Sequence, residues 1–129
     1  MPDYQTLYNL KKRSIPEALK MLKSGDAIIG SLGACAPKEL LGELHTVAEN
    51  GIKGLDVTDC LPLFSYEFAT NPNPEIITNS AWFFSGFQRA AVKSGSLAIS
   101  HVPQRLHNAG LRRAWAHTQD DRRIVLMAG

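Results

Sequence analysis

The side chains best suited to chemistry within one short stretch are Ser31 and Cys35, in the run Gly30-Ser-Leu-Gly-Ala-Cys-Ala-Pro37. A serine hydroxyl can meet a ligand, and a cysteine just ahead of a helix N-terminus favours its nucleophilic thiolate form. Pro37 suits a first helical position, so free N–H groups and a partial positive charge would face this run. The run therefore predicts a loop that binds a ligand, often a phosphorylated one. The alternatives are a plain chain-reversing turn and, for Cys35, a small apolar filler between two alanines.

No group of side chains predicts a metal site or a catalytic acid or base. The histidines lack cysteine or carboxylate partners at ligand spacing; they are His45, His101, His107 and His117. Among the carboxylates, Asp56 and Asp59 fall along a predicted strand. No carboxylate has a visible reason in the sequence for a perturbed pKa. We therefore assign no catalytic residue and no metal.

The C-terminal part of the chain is rich in arginine: Arg105, Arg112, Arg113, Arg122 and Arg123. Such a run could hold phosphates or RNA, but apart from Trp115 it lacks the interleaved aromatic side chains on which single-stranded nucleic acids stack. The formal net charge of the chain is +2, too small to indicate a nucleic-acid or membrane partner. We expect neither partner.

Alternating helices and strands are predicted to position the segment 30–37, which we call the Gly30 loop. Ser14 caps a helix, and Glu17 three residues later completes a capping box. Gly25 is expected to end this helix. A buried strand then covers 26–29, and the next helix follows Pro37.

The same construction recurs further along the chain. Strands are predicted over 55–60 and 76–78, Ser85 and Gln88 open a helix, and the apolar run Ile124–Met127 suits a further parallel strand. Residues 22–29 and 92–99 both read as a helix end, a Lys-Ser-Gly turn and an apolar strand. Repeated helix-to-strand steps predict an α/β fold, with a parallel sheet flanked by helices. Right-handed crossovers would bring the carboxyl ends of all strands, and the Gly30 loop with them, to one edge.

Other features of the sequence indicate how the chain is organised and where the protein acts. A single domain over 14–129 is expected to follow an N-terminal arm, 1–13, and a helix is expected within 103–109. The long excursion 61–74 contains Phe64, Tyr66 and Phe68, which need burial. The two cysteines form no secreted disulfide framework, and we found no signal peptide and no apolar stretch long enough to span a membrane. These features favour a cytoplasmic protein.

The order and spacing of four segments resemble a known family. Ser14–Asp26 and Ile29–Leu40 resemble the start of acetyl-CoA hydrolase/transferase proteins, which include the 4-hydroxybutyrate and butyryl-CoA:acetate CoA-transferases. Asn79–Gly95 resembles that family's Asn-Ser, Phe-x-Gly and arginine-containing helix, and Ser100–Pro103 resembles the segment after its next strand. The chain would be the N-terminal half of such a two-domain protein, as a truncated gene product or an isolated domain.

The resemblance implies a function for the Gly30 loop. Family members transfer CoA from an acyl-CoA to a carboxylic acid, or hydrolyse the thioester, through a glutamate in the second half. Coenzyme A, as acyl-CoA, and a small carboxylic acid would be the ligands, and the second domain and a homo-oligomer the protein partners. The cleft-lining residues would be Gly30, Ser31, Gly33, Ala34 and Cys35, and the chain alone would be inactive.

Two departures from the family's pattern accompany the resemblance. The Gly30 loop is longer and less glycine-rich than usual, and the sequence after Leu111 matches poorly. Two other functions stay open: a stand-alone module that binds CoA or a nucleotide, and a non-catalytic assembly protein that docks through its last strand and the aromatic residues of 64–68.

Overall fold

A computed structural model describes residues 3–93, 100–101 and 123–129. The α-helices are α1 (Tyr4–Lys11), α2 (Ile15–Leu19), α3 (Lys38–Gly42), α4 (Glu67–Thr70) and α5 (Gly86–Lys93). The strands are β1 (Ala27–Leu32), β2 (Leu55–Cys60), β3 (Ile77–Ala81), β4 (Ser100–His101) and β5 (Ile124–Met127). Two 3-10 helices cover Gly33–Cys35 and Leu44–Asn50.

The strands form one sheet in the order β4-β3-β2-β1-β5, and every pair is parallel. This confirms the predicted α/β fold, a parallel sheet flanked by helices. From β1 to β4 the sheet grows in one direction, and β5 then returns to the far side of β1. The order therefore reverses at β1, which has β2 on one side and β5 on the other.

The hydrophobic core lies against one face of the sheet, and alternation along the strands determines which side chains reach it. Ile28, Leu55, Val57 and Ile77 are buried on that face. The helical segments contribute apolar side chains to the same cluster, namely Leu19, Leu41, Leu44, Val47 and Phe68, and Leu22 joins them from the turn after α2. The predicted burial of Tyr66 and Phe68 is confirmed, and Phe64 is partly buried beside them.

The capping residues singled out in the sequence act at helix starts. The Glu17 carboxylate accepts the N–H of Ser14 at 2.8 Å, at the start of α2. The side-chain oxygen of Gln88 accepts the N–H of Ser85 at 3.0 Å, just before α5. Each contact satisfies an N–H that has no carbonyl partner within its helix.

Several boundaries differ from the predicted ones; strand β3, for example, covers Ile77–Ala81 rather than 76–78. The helix α2 ends at Leu19 rather than at Gly25; beyond it, the Asp26 carboxylate accepts the N–H of Lys23 at 2.8 Å. Strand β1 continues to Leu32, so Gly30 and Ser31 lie in the strand rather than in the loop. Residues 4–11 of the expected arm form a helix capped by Asp3, with every side chain exposed.

Parts of the sequence prediction fall outside the described residues. These are the strand over 96–99, the helix within 103–109, and Arg105, Arg112, Arg113 and Arg122. The last predicted strand is present as β5.

Candidate functional site

The predicted ligand residues lie where β1 meets its loop, at the carboxyl edge of the sheet. Pairing of β1 with β2 shifts between Ile29 and Leu32, so one extra residue of β1 lies opposite β2 around Gly30 and Ser31. Such irregularities re-aim side chains and are frequent next to binding sites. The Ser31 hydroxyl donates to the carbonyl of Met127 at 2.8 Å, and this bond ties β1 to β5.

The loop after β1 is a turn of 3-10 helix with two exposed residues. Gly33 has a φ of +53°, in the left-handed region, so glycine is favoured there for its conformation. Ala34 and Cys35 are exposed, and the Cys35 thiol is free. The Cys35 carbonyl accepts the N–H of Gly129 at 2.8 Å, so the last described residues lie against this loop.

Gly30 has a different role from Gly33, because its φ is not positive. A Cβ atom on Gly30 would lie 3.4 Å from Oδ1 of Asp59, on the neighbouring strand β2. A side chain at position 30 would therefore contact this carboxyl group. Gly30 and Asp59 lie next to each other near the carboxyl ends of β1 and β2.

Asp59 is a buried acid that titrates near neutral pH. It is 3% exposed, and burial raises the pKa of its carboxyl group from 3.8 to about 6, although a hydrogen bond from Asn79 partly opposes the rise. This finding corrects the expectation that no carboxylate would have a perturbed pKa. At a pKa near 6, a group can hold or release a proton close to physiological pH, as acid–base chemistry requires.

A chain of buried amides orients the Asp59 carboxylate. Nδ2 of Asn79 donates to Oδ2 of Asp59 at 2.8 Å, and Nε2 of Gln88 donates to Oδ1 of Asn79 at 3.4 Å. Oε1 of Gln88 in turn accepts from the N–H and the hydroxyl of Ser85. We call Asp59, Asn79, Gln88 and Ser85 the amide relay. It connects β2 to β3 and to the first turn of α5.

The hydroxyl of Tyr66 is a second polar group buried in this region. Tyr66 is 2% exposed and stacks on Phe68, with ring centroids 5.4 Å apart. Its hydroxyl has no hydrogen-bond partner among the described residues. Burial, with smaller effects from the charges of Asp59 and Glu39, raises the pKa of this hydroxyl. A buried polar atom without a partner carries a desolvation cost that a ligand or water could relieve.

Beside the amide relay lies an open hollow of about 570 Å³. Its described lining comes from the ends of three strands and from α5: Leu32, Leu61, Phe83, Phe84 and Arg89. Leu61 follows β2 directly and has a φ of +50°, a strained conformation for a branched side chain. Strained backbone of this kind is concentrated at functional sites. We call this space the edge hollow.

The amide relay was not predicted from the sequence, although part of its signal is present there. Asp59 alternates in phase with Leu55 and Val57, and Asn79 with Ile77, so both polar side chains belong to the apolar face of their strands. A polar residue that alternates in phase with the buried apolar residues of a strand indicates a buried polar side chain. The contact between Asn79 and Gln88 had no comparable local signal.

Arg123, which was considered for phosphate or RNA binding, is engaged within the protein. Its guanidinium pairs with the buried carboxylate of Asp26 at 2.6 Å and donates to the carbonyl of Met21. Asp26 precedes β1 and Arg123 precedes β5, so this ion pair joins the two strands at their amino ends. Arg123 therefore has a structural role.

The described ranges, 3–93, 100–101 and 123–129, contain neither a cluster of metal-ligand side chains nor a helix that could span a membrane. Within these ranges no three histidine, cysteine, aspartate or glutamate side chains are grouped as metal ligands would be. None of the helices found there has the length and apolar character needed to cross a bilayer.

Comparison with solved structures identifies the fold. In a crystal structure, RipA from Yersinia pestis matches with a TM-score of 0.64 at 22% identity, over 80% of this chain and 26% of RipA. A single-substitution variant of RipA gives a TM-score of 0.66 at 22% identity, over 84% of this chain and 26% of the variant. No protein-family model and no curated protein sequence matches the chain. The chain thus shares the fold of one part of RipA and spans about a quarter of that protein's length.

Proposed function

We propose that this chain is the N-terminal domain of an acyl-CoA:carboxylate CoA-transferase or acetyl-CoA hydrolase, and that it lines the cleft for acyl-CoA and the second substrate. Two observations support the proposal. One is the order along the chain of three segments that resemble the family, Ser14–Asp26, Ile29–Leu40 and Asn79–Gly95, and the other is the observed α/β fold. Its ligands are coenzyme A, as the acyl-CoA substrate, and a small carboxylic acid. The protein acts in the cytoplasm, together with a second domain that carries the catalytic glutamate.

The position of the Gly33 loop is the observation that carries this proposal. Open α/β sheets bind ligands outside the carboxyl ends of the strands, at the point where the strand order reverses. The order here reverses at β1, and the loop after β1 contains Gly33, Ala34 and Cys35. The loop therefore occupies the position where a cleft in this fold is expected.

The loop also suits an approaching ligand in shape. Gly33 is buried, and a Cβ atom on it would lie 4.0 Å from Cδ1 of Leu63. Ala34 and Cys35 beside it are exposed, and their backbone N–H groups can donate to an acyl-CoA. Gly30 pairs with Met127 of β5, and the Ser31 hydroxyl donates to the carbonyl of Met127, so both residues hold the start of the loop to β5. The reaction itself requires the glutamate of the second domain.

Calorimetry with CoA and acetyl-CoA on the purified chain tests the proposal. We expect binding by the wild type and roughly tenfold weaker binding by Gly33→Ala, because a methyl group and a strained backbone then alter the loop. Gly51→Ala is the matched control. Gly51 also has a positive φ (73°) and nothing within 4 Å of its Cβ position, but it ends the 3-10 helix Leu44–Asn50. Its substitution costs stability without changing CoA affinity.

A folded wild-type chain that binds neither CoA nor acetyl-CoA would refute the proposal. Transferase activity of the chain alone would refute a narrower part of it, the dependence on a second domain. A coupled assay with acetyl-CoA and a carboxylic acid measures that activity directly, and we expect none. CoA binding that persists without any activity after a second family domain is supplied would instead favour a stand-alone CoA-binding module.

A further inference from the structure

A smaller cavity lies at the opposite edge of the sheet from the edge hollow and the Gly33 loop. It has a volume of about 190 Å³ and lies between α4, the 3-10 helix Leu44–Asn50 and the start of β3. Ile77, which lines it, is the first residue of β3, so the cavity is at the amino end of this strand. We call it the amino-edge pocket, and the other lining residues on which its chemistry depends are His45, Ala48, Glu67, Phe68, Asn71 and Ile76.

One wall of the amino-edge pocket is apolar and fixed in position. Phe68 and Ile77 are 3% and 4% exposed and belong to the hydrophobic core, and Ile76 is partly buried against that core. Because the core holds these side chains, the wall exists before any ligand arrives. A pre-formed apolar wall with a few polar groups beside it is typical of small-molecule sites.

The amino-edge pocket also has a negative charge that the protein does not neutralise. The charged side chain among the described lining residues is Glu67, the first residue of α4. Its Oε1 accepts from Nδ2 of Asn71 at 3.2 Å. Within residues 3–93, 100–101 and 123–129, no lysine or arginine forms an ion pair with it. Most of the acceptor capacity of this carboxylate is therefore open to a cationic ligand.

Two further lining side chains also offer acceptors. Because Nδ2 of Asn71 donates to Glu67, the amide orientation is set and Oδ1 of Asn71 remains as an acceptor. Nδ1 of His45 donates to the carbonyl of Gly42 at 2.9 Å, which leaves Nε2 of the neutral imidazole as an acceptor. Asn73 differs, because its Oδ1 already accepts a backbone N–H at 3.2 Å and its amide N–H groups remain as donors.

We propose that the amino-edge pocket binds a small free alkylammonium, with the ammonium on Glu67 and an apolar chain of about three to five carbons against Phe68 and Ile76. An ammonium has three N–H donors and no acceptor, so it suits a lining that is negative and rich in acceptors. A volume of about 190 Å³ accommodates such a molecule and is below the range typical of drug-sized ligands. The site does not depend on the proposed function, because it lies away from the Gly33 loop.

The experiment is amide NMR titration and calorimetry of the 129-residue chain at neutral pH, with butylamine, ethylamine, butanol, Nα-acetyl-lysine amide and Mg²⁺ as probes. We expect butylamine to bind about tenfold more tightly than butanol, which lacks the charge. It should also bind about tenfold more tightly than ethylamine, which has a shorter chain. The amide shifts should be concentrated in the lining segments, 45–48, 67–73 and 76–77.

Three variants separate loss of the site from loss of the fold. Glu67→Gln removes the charge but keeps an oxygen for Nδ2 of Asn71, so it should abolish the preference for butylamine over butanol. Ala48→Leu should fill the pocket and abolish binding, and because Ala48 is exposed, urea unfolding should stay close to that of the wild type. Glu49→Gln, which removes an exposed glutamate outside the described lining, is the matched control and should leave the affinities within about twofold.

Each part of the proposal has a result that would overturn it. Equal affinity for butylamine and butanol, or an unchanged preference in Glu67→Gln, would refute the ammonium contact, and equal affinity for butylamine and ethylamine would refute the apolar chain. Tighter binding of Nα-acetyl-lysine amide than of butylamine would replace the free amine by a lysine side chain of a protein partner. Displacement of butylamine by Mg²⁺ would replace it by a divalent cation. The CoA titration reports separately, since butylamine should bind whether or not CoA does.

Discussion

Ionisation of Asp59 lowers the unfolding free energy of the protein, so its effect on stability depends on pH. Its pKa rises from 3.8 in the unfolded chain to about 6 in the folded protein, so the folded state binds the proton more tightly. The favourable contribution of the protonated acid is fully present below about pH 4 and is lost as the pH rises through about 6. The difference amounts to about 3 kcal/mol of unfolding free energy between these limits. A buried carboxyl group retained at such a cost is typical of a functional residue.

Asp59→Asn tests this linkage. The asparagine keeps an oxygen for Nδ2 of Asn79 but cannot ionise. Relative to the wild type, the variant should gain about 3 kcal/mol of unfolding free energy between about pH 4 and about pH 7. Urea unfolding across this range measures the change. Asp56→Asn, the same substitution on the half-buried face of the same strand, is the matched control. Identical pH dependence in Asp59→Asn and the wild type would contradict the assignment.

The elements around the site are held to one another by polar contacts at specific points. Helix α5 is linked to β3 through Gln88 and Asn79, which are both buried. Strand β5 is held to β1 at its amino end by the ion pair of Arg123 with Asp26 and near its carboxyl end by the bond from Ser31 to Met127. These contacts set the position of α5, and of Arg89 on it, relative to the ends of the strands.

Gln88→Leu removes the central member of the amide relay. Oδ1 of Asn79 would lose its donor, and the N–H and hydroxyl of Ser85 would lose their acceptor, at a site with no exposure. We expect the unfolding free energy to fall by about 2 kcal/mol, the cost of unpaired buried polar groups. Chemical denaturation measures it. Gln5→Leu, on the exposed helix α1, is the control and should change stability by less than about 0.5 kcal/mol. Equal, small effects in both variants would show that the relay does not stabilise the fold.

The molecule as a whole has a sheet whose described edge strands are β4 and β5. Leu126, on β5, is 76% exposed. An edge strand with an exposed apolar side chain invites pairing with another chain, and a charged residue on the edge prevents it. This surface is the basis for expecting contact with a second domain or a second copy.

Leu126→Lys should leave folding intact and weaken self-association. We expect a change in stability within about 0.5 kcal/mol, because the side chain is exposed, and a dissociation constant at least about tenfold higher. Sedimentation velocity over a range of concentrations measures the association. Leu10→Lys, on α1, replaces another exposed leucine away from the sheet and should associate like the wild type. A wild type that stays monomeric at every concentration would remove this surface as a homo-oligomer contact.

Local patterns in the sequence were sufficient for much of the fold. The strands β2 and β5 match their predicted ranges, and the contacts of Ser14 with Glu17 and of Ser85 with Gln88 lie at helix starts as predicted. These features depend on residues within a few positions of each other, where alternation and capping chemistry act. The repeated helix-to-strand steps likewise predicted a parallel sheet. Assignment of Gly30, Ser31, Gly33, Ala34 and Cys35 to a CoA cleft stays a prediction.

The sequence by itself thus determined the α/β class, most strands and the Gly33 turn, because these follow from periodicity and backbone chemistry. Tertiary structure decided what depends on distant residues. It extended β1 through Gly30 and Ser31, because pairing with β2 and β5 stabilises backbone that local sequence favours as a loop. It returned β5 to the side of β1, and it buried Asp59 beside Asn79 and opposite Gly30. The pKa of Asp59 follows from that burial, and burial is a property of the packed molecule rather than of any short stretch of its sequence.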